Sequence, residues 1–482
     1  MAQHKTLSSV FKRPVFVMIW TAAAVSNIGN WMESVAQAWS VVQQTHGDPV
    51  HSAFLAELLS VADFAPVLMF GLLAGVISDR VNRKAWLFFL QLMACLLGAA
   101  LAIIGYLGML TAWRVIALTF AEGIIWALNG PAWMSVTPGL VPRDELEFAI
   151  AANSLQFNLA RLVGPAIAGG IISIFSVNMA FAINALTFIP VLIALMWLPS
   201  TPAPTKPHAS IRQDMMIGLR FTWGHPGARR LALMLMAFCF LSAPLQGLLA
   251  IFARQVLGGG SGLYGGMLAS IGLGSLTGAV ALGWIPKHYP RHHLIPLSMC
   301  LFSVFALLYT ASHSVGWCLA MLYLCGVFWL LSLNPSNTAT QLLATEENRG
   351  RILSVLMIAS QGTTPLGHLF AGGLVHVMSP EYVVRSMVGV LLLLSIGFLL
   401  YRAPEIDQSP RRGQPPQSFA ARLREAITAE SHRPIAPREV VLAPALPTPD
   451  GTAHGDELAA DPGASRDMSR QDQELAPRAA GS

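Results

Sequence analysis

The sequence predicts an all-α membrane protein, with twelve transmembrane helices in two six-helix pseudo-repeats and a disordered C-terminal tail. Three observations carry that expectation. Hydrophobic residues make up 54% of the 482 and charged residues only 11%, whereas a soluble domain carries about 25% charged residues. Apolar runs of about 20 residues, the length that crosses a bilayer, recur throughout the chain before residue 402. The polar stretches between them alternate between rich and poor in lysine and arginine, the pattern that orients membrane helices.

The runs lie near residues 15–41, 53–78, 85–109, 113–136, 146–172, 176–198, 229–256, 262–286, 293–311, 314–341, 352–376 and 380–401. Lys5, Lys12 and Arg13 precede the first, which continues past the length of a cleavable signal and is expected to be retained. The second stops most abruptly. In Gly71-Leu-Leu-Ala-Gly75-Val-Ile-Ser-Asp79-Arg80-Val-Asn82-Arg83-Lys84 an apolar run meets an acid and three bases, and such charges are costly in hydrocarbon. With the N-terminus inside, the inside loops hold Arg80, Arg83 and Lys84, then Arg143, then Lys206, Arg212, Arg220, Arg229 and Arg230. Further along they hold Lys287 and Arg291, then Arg349 and Arg351. The outside loops 43–51 and 173–178 hold no lysine or arginine. Both termini are therefore expected in the cytoplasm.

The longest inside loop, 199–225, opens on a stiff proline-rich stretch and contains a segment, 211–223, suited to a short surface helix. The chain thus divides into an N-terminal half (1–198), a cytoplasmic linker (199–228), a C-terminal half (229–402) and a tail (403–482). The tail is rich in Pro, Ala and charged residues without a sustained apolar core, so disorder is expected. Within it Phe419, Leu423 and Ile427 share one helical face beside Arg422 and Arg424, which suits a helix on the inner leaflet or an inert solvated tail.

The halves read as copies. Gly71 and Gly75 recur as Gly274 and Gly278, Gly164 as Gly367, and Gly169-Gly170 as Gly372-Gly373, all at an offset of 203 residues. Two six-helix halves repeated in parallel form the plan of many secondary transporters, with the cargo site between them near the midplane. The net charge of +5 does not point to nucleic acid, because the bases lie between apolar spans. No phosphate-binding loop, zinc pattern, nucleophile elbow or dinucleotide fingerprint stands out. Neither an enzyme nor a bound cofactor or metal is expected, and the five cysteines lack pairing or ligand spacing.

The charged loop resembles the signature of the major facilitator superfamily, Gly-x-x-x-Asp-Arg-x-Gly-Arg-Lys, in Gly75, Asp79, Arg80, Arg83 and Lys84. Asn82 stands where that pattern has glycine, and Asn tolerates a left-handed turn there. Pro138-Gly-Leu-Val-Pro-Arg143 and Ala151-Ala-Asn153-Ser-Leu-Gln-Phe-Asn158-Leu-Ala-Arg161-Leu-Val-Gly164-Pro165 resemble the exporter branch that includes enterobactin exporters and macrolide efflux pumps. Span five also resembles the antiporter motif Gly-Pro-x-x-Gly-Gly in Gly164, Pro165, Gly169 and Gly170, with one extra residue before the glycine pair. Small residues of this kind equally serve ordinary helix packing.

That resemblance implies the major facilitator fold in a bacterial inner membrane and export of a small amphipathic molecule, a siderophore or drug, against proton entry. It implies that the loop around Gly71, Gly75, Asp79, Arg80, Arg83 and Lys84 is a conformational latch, with the acid bracing the inside face near the start of helix eleven. The antiport arginine of the family's helix-four pattern is absent; the chain reads Thr119-Phe-Ala-Glu122-Gly123.

Ionisable residues inside spans are the best pointers to coupling. Glu122 in span four and Arg161 in span five lie at similar depth and are expected to pair, either as a proton-coupling site or as a structural ion pair. Asp63 is a reserve carboxylate. Glu33 and Glu57 lie nearer the outside face and read as interfacial, and His368 as structural. Asn27, Trp31, Trp126, Gln246, Asn334 and Gln361 are candidate cavity residues. The expected partners are a small-molecule cargo, protons and membrane lipid, with no nucleic acid. Two other readings stand beside export: metabolite uptake, and a non-transporting sensor or scaffold that acts through the tail.

Overall fold

The structure is a computed structural model that describes residues 7–45, 48–134, 136–198, 211–285, 289–343, 355, 359–401 and 404–407. At Gly75, Asp79 and Arg80 it describes the backbone alone, so their side-chain roles in the latch lie outside the described residues. Among the described residues the first six main helices are α1 (Pro14–Gln44), α2 (Pro49–Arg80), α3 (Arg83–Tyr106), α4 (Ala112–Met134), α5 (Leu146–Ile174) and α6 (Val177–Trp197). The second six are α7 (Pro226–Gly247), α8 (Ser261–Trp284), α9 (Arg291–Tyr309), α10 (Val315–Leu343), α11 (Thr363–Leu374) and α12 (Pro380–Leu400). Eleven helices among the described residues are long and apolar enough to cross a membrane. The expected span near 352–376 is represented by α11, and most of its earlier residues lie outside those described. The segment expected as a surface helix is helical over Ile211–Gly224.

Local chemistry explains where the helices begin. Asp48 caps α2 by accepting from the Val50 and His51 amides at 3.0 Å, with Pro49 in the first turn where its missing N–H costs nothing. Ser176 caps α6 by accepting from Met179 N at 3.2 Å. The turn between α3 and α4 reverses through Gly108 at φ 69°, a conformation open to glycine at little cost. Asn82 corrects an expectation. It does not take the left-handed conformation; it sits at φ −62° and accepts from Ala85 N at 3.2 Å as the N-cap of α3. A capping Asn uses extended backbone, so the position tolerates the change from glycine for a different reason.

Packing bears the repeat out. Gly164 lets α5 lie against α1, where a Cβ would stand 2.5 Å from Trp31 Cβ, and Gly367 lets α11 lie against α7, where one would stand 2.2 Å from Phe240 O. Gly169 faces α8 through Ser261 and Gly265, while Gly372 faces α2 through Phe54 and Glu57. The first pair joins helices within each half and the second joins the halves to each other, so both sets of contacts obey one pseudo-two-fold relation. Residues 404–407, where the expected tail begins, are packed against the second half. Ile406 is buried, Glu405 pairs with Arg230 at 3.2 Å, and Asp407 accepts from Arg291 N at 2.8 Å. Pro290 gives α9 no side-chain cap, and Asp407 satisfies the exposed amides of that helix start instead. The rest of the tail, 408–482, lies outside the described residues.

Candidate functional site

The first six helices bring three carboxyls together in the interior. On α1, Glu33 is 6% exposed and accepts from Asn184 Nδ2 of α6. One turn further, Gln37 Nε2 donates to Glu122 Oε2 of α4 at 2.6 Å. Glu33 and Glu122 are near enough to act on each other electrostatically, and so is Asp63 of α2. Gly123 keeps α2 and α4 close: a Cβ there would stand 2.9 Å from Asp63 O. Glu33 Oε1 and Glu122 Oε1 are buried without a hydrogen-bond partner, whereas the Asp63 side chain is accessible. Carboxyls gathered in this way inside a span form a candidate site for a proton.

A second buried pair joins the two halves. Glu57 Oε2 of α2 lies 2.6 Å from Nδ1 of His368 of α11. The imidazole stacks on Phe64 with ring centroids 6.0 Å apart. Glu33 and Glu57 are therefore not interfacial: burial in helix contacts, rather than position along the span, decides their environment. His368 likewise has a defined acidic partner.

The expected Glu122–Arg161 pair does not form. Glu122 accepts from Gln37, and Arg161 lies over the Trp31 ring at 5.6 Å. Among the described residues no carboxylate forms an ion pair with Arg161. Asn153 donates to Thr137 Oγ1 at 2.9 Å and Asn158 to Ser154 O at 2.8 Å, so both serve local structure. Gly170 faces open space, unlike Gly164 and Gly169. Trp126, Asn334 and Gln361 are exposed, and Asn27 and Gln246 half-buried. Among the described residues no hydrogen bond joins the side chains of these five. In the charged loop, Lys84 Nζ donates to Met196 O at 2.8 Å, and Gly71 has open space where a Cβ would stand.

Among the described residues, a group of side-chain contacts between the halves lies away from the basic loops. Trp39 stacks on Tyr264 at 6.2 Å with Arg254 over the same ring at 5.8 Å, and Phe54 meets His376 at 5.2 Å. Ser261 Oγ donates to Gly169 O at 3.4 Å, and the Glu57–His368 pair belongs to the same group. At the end that carries the basic loops, the Arg13–Glu145 and Arg230–Glu405 pairs each stay within one half.

The family model described as transmembrane secretion effector, of the major facilitator type, matches residues 6–430. The chain is 24% identical to the staphyloferrin A transporter of Staphylococcus aureus, over 71% of this chain and 85% of that protein. It is 26% identical to macrolide efflux protein A of Streptococcus pyogenes, over 60% and 71%. It is 25% identical to the enterobactin exporter EntS of Escherichia coli, over 80% and 93%. Among solved structures, a D-xylose–proton symporter superposes with a TM-score of 0.63 at 12% identity, covering 82% of this chain and 99% of that one. That likeness establishes the fold.

Proposed function

The chain belongs to the transmembrane secretion effector family of the major facilitator superfamily, and from that premise we propose that it exports a small amphipathic molecule by proton antiport with alternating access. The family makes it a multi-pass transporter with efflux-type relatives. The reading adds coupling ion, direction and orientation: the basic loops and both termini face the cytoplasm of a bacterial inner membrane. The observation that carries it is the cluster of Glu33, Glu122 and Asp63 inside the first half, with one buried oxygen each on Glu33 and Glu122 left without a partner.

In this scheme the cycle starts from a state open toward the cytoplasm. Cargo enters past Asp63 while the Glu33–Glu122 pair is without its proton. Parting of the Glu57–His368, Trp39–Tyr264 and Phe54–His376 contacts opens the outer end. There the carboxyl pair takes up a proton from the higher-activity side, and the protonated site binds cargo less well. Coupling follows because a ligand shifts the balance between the two states only by its difference in affinity for them. Glu57 and His368 serve as the outer clasp. Asp79, in the latch expected at the other end, would brace the opposite state.

Inside-out membrane vesicles test the reading. With an imposed gradient that drives protons out of the vesicle lumen, a transported dye should accumulate and collapse of the gradient should release it. Accumulation indifferent to the gradient would remove proton coupling, and absence of transport across a chemically broad panel would remove export.

A further inference from the structure

Arg161 is the charge that this scheme does not use. It stands near the middle of α5, where an arginine without a counter-charge is retained only by facing water or a ligand. Among the described residues its guanidinium has no hydrogen-bond or ion-pair partner; its neighbour is the Trp31 ring at 5.6 Å. Phe157 packs edge-on against that ring with centroids 6.1 Å apart. Gly164, one turn beyond Arg161, brings the backbone of α1 close enough to hold Trp31 in place. On the other side, Gly272 of α8 abuts the α5 backbone at Arg161 and Leu162. The guanidinium therefore sits where the two halves meet, beside an aromatic face whose edge is already fixed.

We propose that Arg161 and Trp31 form a cargo subsite for an acidic group borne on a flat aromatic or apolar body, and that the cargo carries a positive charge at some distance from it. This rests on the export reading. A planar guanidinium grips a carboxylate through two parallel hydrogen bonds, and the indole beside it stacks on a flat ring. The second charge follows from the carboxyls. Glu33 accepts from Asn184 and Glu122 from Gln37, and among the described residues none of the three carboxyls pairs with Arg161, so a purely anionic cargo would leave them uncompensated, whereas a dipolar one places a cation where the proton otherwise binds. Competition between cargo cation and proton then couples the two fluxes, while Arg161 supplies recognition.

Three xanthene dyes in inside-out vesicles separate the possibilities. Rhodamine B carries both charges, its ethyl ester only the positive one, and carboxyfluorescein only negative ones. The wild type should accumulate rhodamine B at least about tenfold better than either of the others. Arg161→Gln should reduce rhodamine B accumulation by about tenfold and leave the ester unchanged, which also shows that the variant is folded. Arg161→Lys should retain rhodamine B transport with a raised KM. Preference of the wild type for the ester, or equal effects of Arg161→Gln on both rhodamines, would overturn the subsite while leaving export intact. Movement of none of the dyes by the wild type would overturn export, and this proposal with it.

Discussion

Glu57 and His368 meet with side chains only 1% and 2% exposed, and the imidazole is held further by the Phe64 ring. Removing one member of such a pair costs about 3–5 kcal/mol, because the other is left buried without its partner. His368→Ala should therefore lower the thermal unfolding midpoint of the purified protein sharply. Glu57→Gln keeps an acceptor opposite the ring and should cost about 1 kcal/mol. Equal small shifts for both would show that the contact is not holding the two halves together. The pair also shows where a sequence stops being legible. Its members are 311 residues apart and the Glu33–Asn184 contact spans 151, so no local pattern joins them. Position along an apolar run indicates depth only loosely and says nothing about which neighbour a side chain faces. For the same reason Glu122 and Arg161 share similar depth and yet face different partners.

Among the helices, the α5–α8 crossing depends on backbone proximity. A Cβ at Gly169 would stand 2.9 Å from Ser261 O, and one at Gly265 would stand 2.4 Å from Pro165 O. Neither obstacle is the tip of a flexible side chain. Gly169→Val should destabilise the assembled protein by about 1–3 kcal/mol, while Gly170→Ala, where nothing lies within 4 Å, should be tolerated. Both glycines belong to one motif, so similar folded yields in membranes would contradict the packing account. A second element-scale expectation concerns the strap at 404–407. Ending the chain after Asp407 should leave folding unchanged. Ending it before Pro404 removes the Asp407 cap of α9, the Glu405–Arg230 pair and the buried Ile406. The cap alone is worth about 0.5–2 kcal/mol, so the shorter chain should melt measurably lower; identical melting would make the strap incidental. Helix positions were readable from apolar runs, because length and hydrophobicity act locally. The strap was not, since composition cannot register one buried Ile and one capping Asp at the edge of a polar tail.

Across the whole molecule, the repeat visible in glycines at a constant offset becomes a physical relation between two crossings. One, α5 on α8, is closed by glycines; the other, α2 on α11, is closed by Glu57, Gly372 and His368. The repeat was legible because close packing leaves small residues at fixed positions. The asymmetry was not, because it depends on which side chains meet across the halves. In the proposed export cycle, the carboxyl cluster in the first half and the clasp between the halves together link proton uptake to the equilibrium between the two open states. The most direct measurement compares wild type, Glu122→Gln and Glu33→Gln in inside-out vesicles, scoring gradient-driven dye accumulation against gradient-free exchange of labelled for unlabelled dye. The account predicts that both variants keep exchange at saturating dye, with a raised KM, and lose at least about tenfold of the gradient-driven accumulation. Full gradient-driven accumulation in either variant, with exchange intact, would contradict it.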